Sequence, residues 1–231
     1  MTWLNFSGTV NAFRLLRDPS LCLPHHTVST FNSLPIPLTK ALQKQHDKSE
    51  LDIRAVVLDK DNCFAVPHSN EVYEGYKVKF RQLREAYPGS KLLIVSNTAG
   101  TSSDKNHAEA ALLEKNTGVA VLRHDTKKPG CHEEVMRYLR KSDAGVTSPS
   151  QVAIVGDRLL TDMMLANTMG SYGFWIRDGV KEAGIRPSFV SSIFHACSKP
   201  NRSQIARMEG RLATFLFRRR FIPQNPTSPF E

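Results

Sequence analysis

The chain is poor in cysteine, in acid and in long apolar runs. Its four cysteines, Cys22, Cys63, Cys131 and Cys197, are scattered through 231 residues. They form no C-x-x-C pair and have no histidine at zinc-finger spacing, which argues against a disulfide framework or a zinc module. They read as reduced, buried thiols of a reducing compartment. No apolar run approaches the roughly 18 residues needed to cross a bilayer. The N-terminus lacks the continuous apolar core of a secretory signal. Acids number 22 against 31 Lys and Arg, a formal net charge of +9. That balance points to an anionic partner: nucleic acid, an anionic membrane or a phosphorylated substrate. The aromatics are not interleaved with the basic residues as stacking platforms require, so nucleic acid is not expected. What is present is ample apolar content, 40% of residues, enough for one globular domain with extensions or two small domains.

The ends differ from the middle. Residues 1–17 contain no acid, carry Arg14 and Arg17, and place Trp3, Phe6, Val10 and Phe13 on one helical face. Such a helix suits mitochondrial targeting, an interfacial position on a membrane, or packing on the domain's own core. Four prolines between 19 and 39 indicate an irregular arm, and residues 40–50 are polar. Residues 1–50 are therefore expected to form an N-terminal amphipathic helix and arm. Residues 191–231 are expected to form a basic amphipathic extension. There Ile205, Met208, Leu212, Phe215 and Leu216 make a helical stripe flanked by Arg202, Arg207, Arg211 and Arg218 to Arg220. That face fits an anionic membrane surface or a solvated side of a packed helix.

Between them, residues 51–190 alternate strand and helix signals. Apolar runs at 53–58, 92–95, 119–122, 152–155 and 171–176 predict about five strands. Helical patterns fill the intervals, at Tyr76 to Tyr87, from Asp104 to Gly118, after Pro129, and at Met163 to Met169. This alternation predicts an α/β, Rossmann-like, doubly wound parallel sheet.

Polar motifs stand where the strands end, the edge at which such sheets bind ligands. The first strand runs into Asp59-Lys60-Asp61. In extended chain, Asp59 and Asp61 point to the same side. Two like charges so placed are costly without a proton or cation between them. The second strand ends in Ser96-Asn97, the third leads to Lys127-Lys128-Pro129, and the fourth ends in Gly156-Asp157 with Asp162 beyond. Carboxylates, a hydroxyl beside backbone amides, and a lysine suit a phosphate group bridged to a hard divalent cation, Mg²⁺ before others.

Asp59-x-Asp61, Ser96, Lys128 and Gly156-Asp157 with Asp162, in this order, resemble the four motifs of the haloacid-dehalogenase superfamily of phosphatases. The resemblance covers about residues 51–180. Within it, VVLDKDNC, SNTAG, KKPG and VGDRLLTD are similar to the mitochondrial phosphatidylglycerophosphatase branch. Cys63 departs from the Thr or Val usual in the wider superfamily. The resemblance implies Asp59 as nucleophile, forming an aspartyl-phosphate, and Asp61 as general acid and base. It implies a metal set of Asp59, Asp61 through its backbone carbonyl, and Asp157, supported by Asp162. Ser96, the amide of Asn97 and Lys128 would hold phosphate oxygens. Lys127 is the rival for the motif lysine; Lys128, directly before the proline, fits better.

Three features compete with this reading. Cys131 and Arg137 have the spacing of a cysteine-dependent phosphatase loop, but the interior has no glycine and two glutamates. His68, His124 and His132 are expected as surface or turn residues. Arg158 either touches substrate or braces its loop.

Asp59 to Ser96 spans 37 positions and Ser96 to Lys128 spans 32. A strand, loop and helix use nearly all of each interval, which leaves no room for a cap of roughly 60 residues or more, so the site is expected to be open unless an oligomer or the terminal arms cover it. An open site suits a bulky phosphate ester, and two basic amphipathic ends favour a lipid. The expectation is therefore a Mg²⁺-dependent phosphatase of phosphatidylglycerophosphate in the cardiolipin pathway, peripheral on the matrix side of the mitochondrial inner membrane, with a homo-oligomer open. The alternatives are a soluble capless phosphatase of a sugar phosphate or other small metabolite, and a membrane-bound interaction module with a relic site.

Overall fold

Short runs rich in β-branched and aromatic residues pair side by side in the computed structural model, which describes residues 18–42 and 51–180. The strands are β1 (His26–Val28), β2 (Ala55–Leu58), β3 (Leu92–Ile94), β4 (Ala120–Val121), β5 (Val152–Gly156) and β6 (Tyr172–Ile176). All pair in parallel, in the order β1-β6-β5-β2-β3-β4. Parallel strands need crossovers, and helices supply them. They are α1 (Thr39–Leu42), α2 (Lys77–Ala86), α3 (Ala108–Thr117), α4 (His132–Lys141) and α5 (Met164–Met169).

The central strands are buried on both faces, and side-chain alternation divides them between two cores. Val56 and Leu58 of β2 face Phe80 and Leu83 of α2 and Ala110 and Leu113 of α3. Ala55 and Val57 face Val135, Met136 and Leu139 of α4 and Leu165 and Met169 of α5. Helices on both faces confirm the doubly wound architecture expected from sequence. The intervals after Asp59 and after Ser96 are used by α2 and α3, and no large cap is present among the described residues.

Sequence and structure part company at 19–39. Expected as an irregular arm, this segment supplies β1, which pairs with β6 and makes six strands rather than about five. It also buries Leu23, Phe31, Leu34 and Leu38. Phe31 packs against Tyr76 with ring centroids 5.6 Å apart and against Phe64 at 6.4 Å. A three-residue strand between prolines carries no periodic signal, so its burial is not legible in the sequence. The amphipathic patterns at 1–17 and 202–220 lie outside the described residues.

Element ends obey local chemistry. The sequence pattern starts a helix at Asp104; the helix α3 begins instead at Ala108, after a 3₁₀ turn, Lys105–His107. Asp104 still caps it, accepting from the amides of Glu109 and Ala110, each at 2.9 Å. Gly118 ends α3 in the left-handed conformation (φ 65°), where a Cβ is disfavoured. Among the described residues no helix is long and apolar enough to cross a membrane.

Candidate active site

Strand register brings the polar motifs together. Leu58 pairs with Val155 on one side and Ile94 on the other. The three strands therefore end level, and the loops that continue them emerge on one edge. β2 and β5 are neighbours whose onward connections run in opposite directions, which is the switch point where open α/β sheets leave a crevice.

At that crevice one lysine and three carboxylates meet. Asp59, Asp157 and Asp162 place carboxylate oxygens within 4.8 Å of one another. Lys128 Nζ reaches Asp59 Oδ1 at 2.5 Å and Asp162 Oδ1 at 2.7 Å. All four are buried. Three carboxylates against one ammonium leave two negative charges uncompensated if all ionise. Burial raises the Asp59 carboxyl to about 6; Lys128 opposes this and the charge of Asp162 adds to it. Burial likewise lifts Asp157 well above the carboxylate range, with the charges of Asp59 and Asp162 adding to it. Burial alone would pull the Lys128 ammonium down, but Asp162 and Asp59 outweigh it and hold it above the ordinary lysine value.

This donor set fits a hard cation. Asp157 Oδ2 accepts from Asn62 Nδ2 at 2.8 Å. Its Oδ1 is buried and has no hydrogen-bond partner. An orphaned carboxylate oxygen, beside two further carboxylates and out of reach of a donor, is the arrangement a divalent ion relieves. Asp162 is braced on both oxygens, by Lys128 and by the Arg158 amide at 3.1 Å. Its approach depends on Gly156: a Cβ there would lie 2.3 Å from Asp162 Oδ2.

The other residues expected at the site stand around this cluster. Asp61 is buried, and its Oδ1 accepts from the His68 amide at 2.8 Å and pairs with Lys60 Nζ at 3.1 Å. It stands outside the three-carboxylate cluster. Ser96 is fully buried; its hydroxyl lies 3.1 Å from Thr98 Oγ1 and accepts from the Thr98 amide at 3.2 Å. Asn97 Oδ1 accepts from the Lys128 amide at 2.8 Å, tying the second motif to the third. Between the two candidate lysines the geometry selects Lys128: Lys127 is exposed. The Cys131 thiol is pushed up to about 12 by burial, which removes it as a nucleophile at neutral pH. His68 is a turn residue with left-handed backbone, φ 69°.

Three contributors escape a reading of the sequence. Lys60 is 2% exposed and donates to Ser69 O at 3.0 Å while pairing with Asp61. The strand alternation that puts Asp59 and Asp61 on one side puts Lys60 on the other, and a lysine pointing into a core is the available signal. Asn62, in left-handed backbone (φ 61°), braces Asp157 and accepts from the Val180 amide at 3.1 Å. No spacing rule indicates such a brace. His124, expected as a surface or turn residue, is buried, with its ring nitrogens at the Thr126 and Ser96 carbonyls.

Comparison with known proteins places this site in a family. Residues 6–181 match the family model described as mitochondrial PGP phosphatase. The Saccharomyces cerevisiae mitochondrial phosphatidylglycerophosphatase is 54% identical over 178 residues, covering 77% of this chain and 90% of that protein. A Schizosaccharomyces pombe protein named "Probable phosphatidylglycerophosphatase, mitochondrial" is 36% identical over 77% of this chain and 84% of its own length. An Arabidopsis thaliana phosphatidylglycerophosphate phosphatase named as chloroplastic and mitochondrial is 30% identical, with 72% of this chain and 44% of that protein aligned. No solved structure matches. With its motifs assembled on one sheet edge and the match spanning most of its length, the chain belongs to the mitochondrial PGP phosphatase family.

Proposed function

We propose that this chain is a phosphoric monoester hydrolase that removes the terminal phosphate of phosphatidylglycerophosphate, leaving phosphatidylglycerol, a step toward cardiolipin. The observation that carries the reading is the Lys128–Asp59–Asp162 bridge beside the orphaned oxygen of Asp157, in a chain 54% identical to a phosphatidylglycerophosphatase.

In this reading Asp59 attacks phosphorus. An O–P bond forms to its carboxylate as the ester O–P bond breaks, giving an aspartyl-phosphate. Asp61 donates a proton to the departing alkoxide and then takes one from the water that hydrolyses the acyl phosphate. Lys128 and the backbone amides after β3 neutralise charge on the equatorial oxygens. Asp59, Asp157 and the Asp61 carbonyl would hold Mg²⁺, with Asp162 and Asn62 as braces. Bound there, Mg²⁺ supplies positive charge that offsets repulsion between an anionic nucleophile and an anionic phosphate.

The basic terminal stripes support a peripheral position on an anionic membrane. Together with relatives named mitochondrial, they support a place on the matrix side of the inner membrane. The test is phosphate release from phosphatidylglycerophosphate in mixed micelles, with Mg²⁺ and with chelator, for wild type and Asp59→Asn. Release is expected only from wild type with Mg²⁺, reduced roughly 10⁴-fold or more in the variant, the scale on which losing a nucleophile acts. Faster turnover of a small soluble ester than of the lipid would replace the lipid by a metabolite substrate. No release from any ester would leave a binding module.

A further inference from the structure

The lysine loop is anchored weakly by the sheet. β4 is two residues long and, among the described residues, pairs only with β3, through Leu93 with Ala120 and Ile94 with Val121. The bond from the Leu122 amide to Ile94 O, at 2.9 Å, extends the pairing one residue further. Yet Lys128, six residues on, reaches Asp59 Oδ1 at 2.5 Å.

His124 supplies a second anchor. It is 4% exposed. Its Nδ1 lies 2.7 Å from the Thr126 carbonyl and its Nε2 3.0 Å from the Ser96 carbonyl. Its backbone amide donates to Gly100 O at 2.9 Å. One residue thus touches the loop after β3 at two places and its own loop at a third. Both ring partners are carbonyl oxygens, which only accept. The ring thus lies between the two loops with one nitrogen facing a carbonyl of each.

We propose that His124 is a positioning residue that clamps the Ser96 loop to the Lys128 loop and sets the spacing of the phosphate cradle. The proposal rests on the reading of Ser96 and Lys128 as phosphate-binding residues.

The elements around the ring are themselves tied down. Glu114 takes Arg123 in a two-pronged ion pair. Asp104 is engaged by three backbone amides. Glu134 Oε1 accepts from the Asp125 amide at 3.0 Å. The clamp therefore joins two loops whose flanks are already fixed.

The test compares phosphate release by wild type, His124→Gln and His124→Phe, each as the full chain. Turnover is expected to fall on the order of tenfold in His124→Phe, which loses the ring's hydrogen bonding, and less in His124→Gln, whose amide can keep one bond. KM should change less than kcat, and the loss should exceed any fall in the folded fraction read by circular dichroism. Folded variants with wild-type kcat overturn the clamp, and so does a loss of activity that only follows the folded fraction. If His124→Phe does not fold, His124→Gln decides alone; failure of both to fold would assign His124 to the fold and not to the cradle. Absence of phosphate release from wild type would overturn the phosphatase reading instead.

Discussion

The two halves of the site are built by opposite rules. The carboxylate half, on β2 and β5, sits on central strands paired along their whole length, and it is electrostatically discontented. Asp59 and Asp157 are pushed up by burial and by the charge of Asp162, and one oxygen of Asp157 has no partner. The cradle half, on β3 and β4, rests on the frail edge of the sheet, yet its polar groups are well matched: Asn97 with the Lys128 amide, His124 with two carbonyls, Ser96 with Thr98. Rigid strands can hold groups that repel one another until a cation arrives. A loosely paired edge must be tied by its own side chains. Lys128 crosses between the halves, ion-paired to Asp59 and Asp162.

The largest effect that breaks this contrast is Asp59→Asn. It should abolish turnover and leave the metal-free protein at neutral pH as stable as wild type or more so. The neutral amide removes a charge the fold disfavours and keeps the shape. Thermal unfolding without metal checks this. A clear loss of stability would mean that the ion pair with Lys128 outweighs burial, and the carboxylate half would no longer count as strained.

Lys128→Met comes next. It should lower kcat by about 10² to 10³, the range for removing one donor to a transition-state oxygen. Unlike Asp59→Asn it should also destabilise, because Asp59 and Asp162 lose their shared counter-ion in a buried place. Equal stability of the two variants would erase the proposed asymmetry between the halves.

Legibility in the sequence divides along the same line. Asp59, Lys128, Asp157 and Asp162 are legible because each stands at or after an apolar run, and strand ends are visible as composition changes. The strands themselves are legible except β1, whose three residues lie among prolines. The hidden residues are those that act through contacts of high sequence separation. Asn62 meets Asp157 and Val180, and His124 meets Ser96 across 28 positions. A side chain that bonds a backbone carbonyl leaves no periodicity and no spacing. Lys60 is intermediate: strand alternation predicts its direction, but only the fold reveals that Ser69 O and Asp61 are there to receive it.

A smaller effect sharpens the electrostatic side. Asp59 rises from 3.8 to about 6 in the folded, metal-free chain. Between those values the native state keeps a proton that the unfolded chain has released. Stability of the metal-free protein should therefore fall as pH rises through that window, and the loss should persist above it. Asp157 contributes with the same sign. With Mg²⁺ bound, the carboxylates ionise in both states and the loss is relieved. The rise in Tm on adding Mg²⁺ should thus be several degrees greater at about pH 7 than at about pH 5, a few degrees answering to each kcal/mol in a chain of this size. Part of that difference is ordinary competition of protons with the metal. The diagnostic is the metal-free limb: it should flatten in Asp59→Asn. An unchanged limb would assign the pH dependence elsewhere.

The smallest effect isolates geometry from charge. Gly156→Ala alters no ionisable group, but its Cβ would fall 2.3 Å from Asp162 Oδ2 and 2.5 Å from Asp162 Cβ. Asp162 cannot swing aside freely, because Lys128 Nζ and the Arg158 amide hold its two oxygens. Either those bonds stretch or the end of β5 shifts. Such overpacking costs about 1–3 kcal/mol. Because Asp162 and Asp59 share Lys128, the displacement reaches Asp59, and Mg²⁺ should bind on the order of tenfold more weakly, the scale of a disturbed outer-shell partner. Isothermal titration with Mg²⁺ beside a melting curve separates the two. Lost stability with unchanged Mg²⁺ affinity would show that Asp162 braces the fold alone; both falling together would show that the close approach permitted by a missing Cβ is what lets Asp162 brace the metal site.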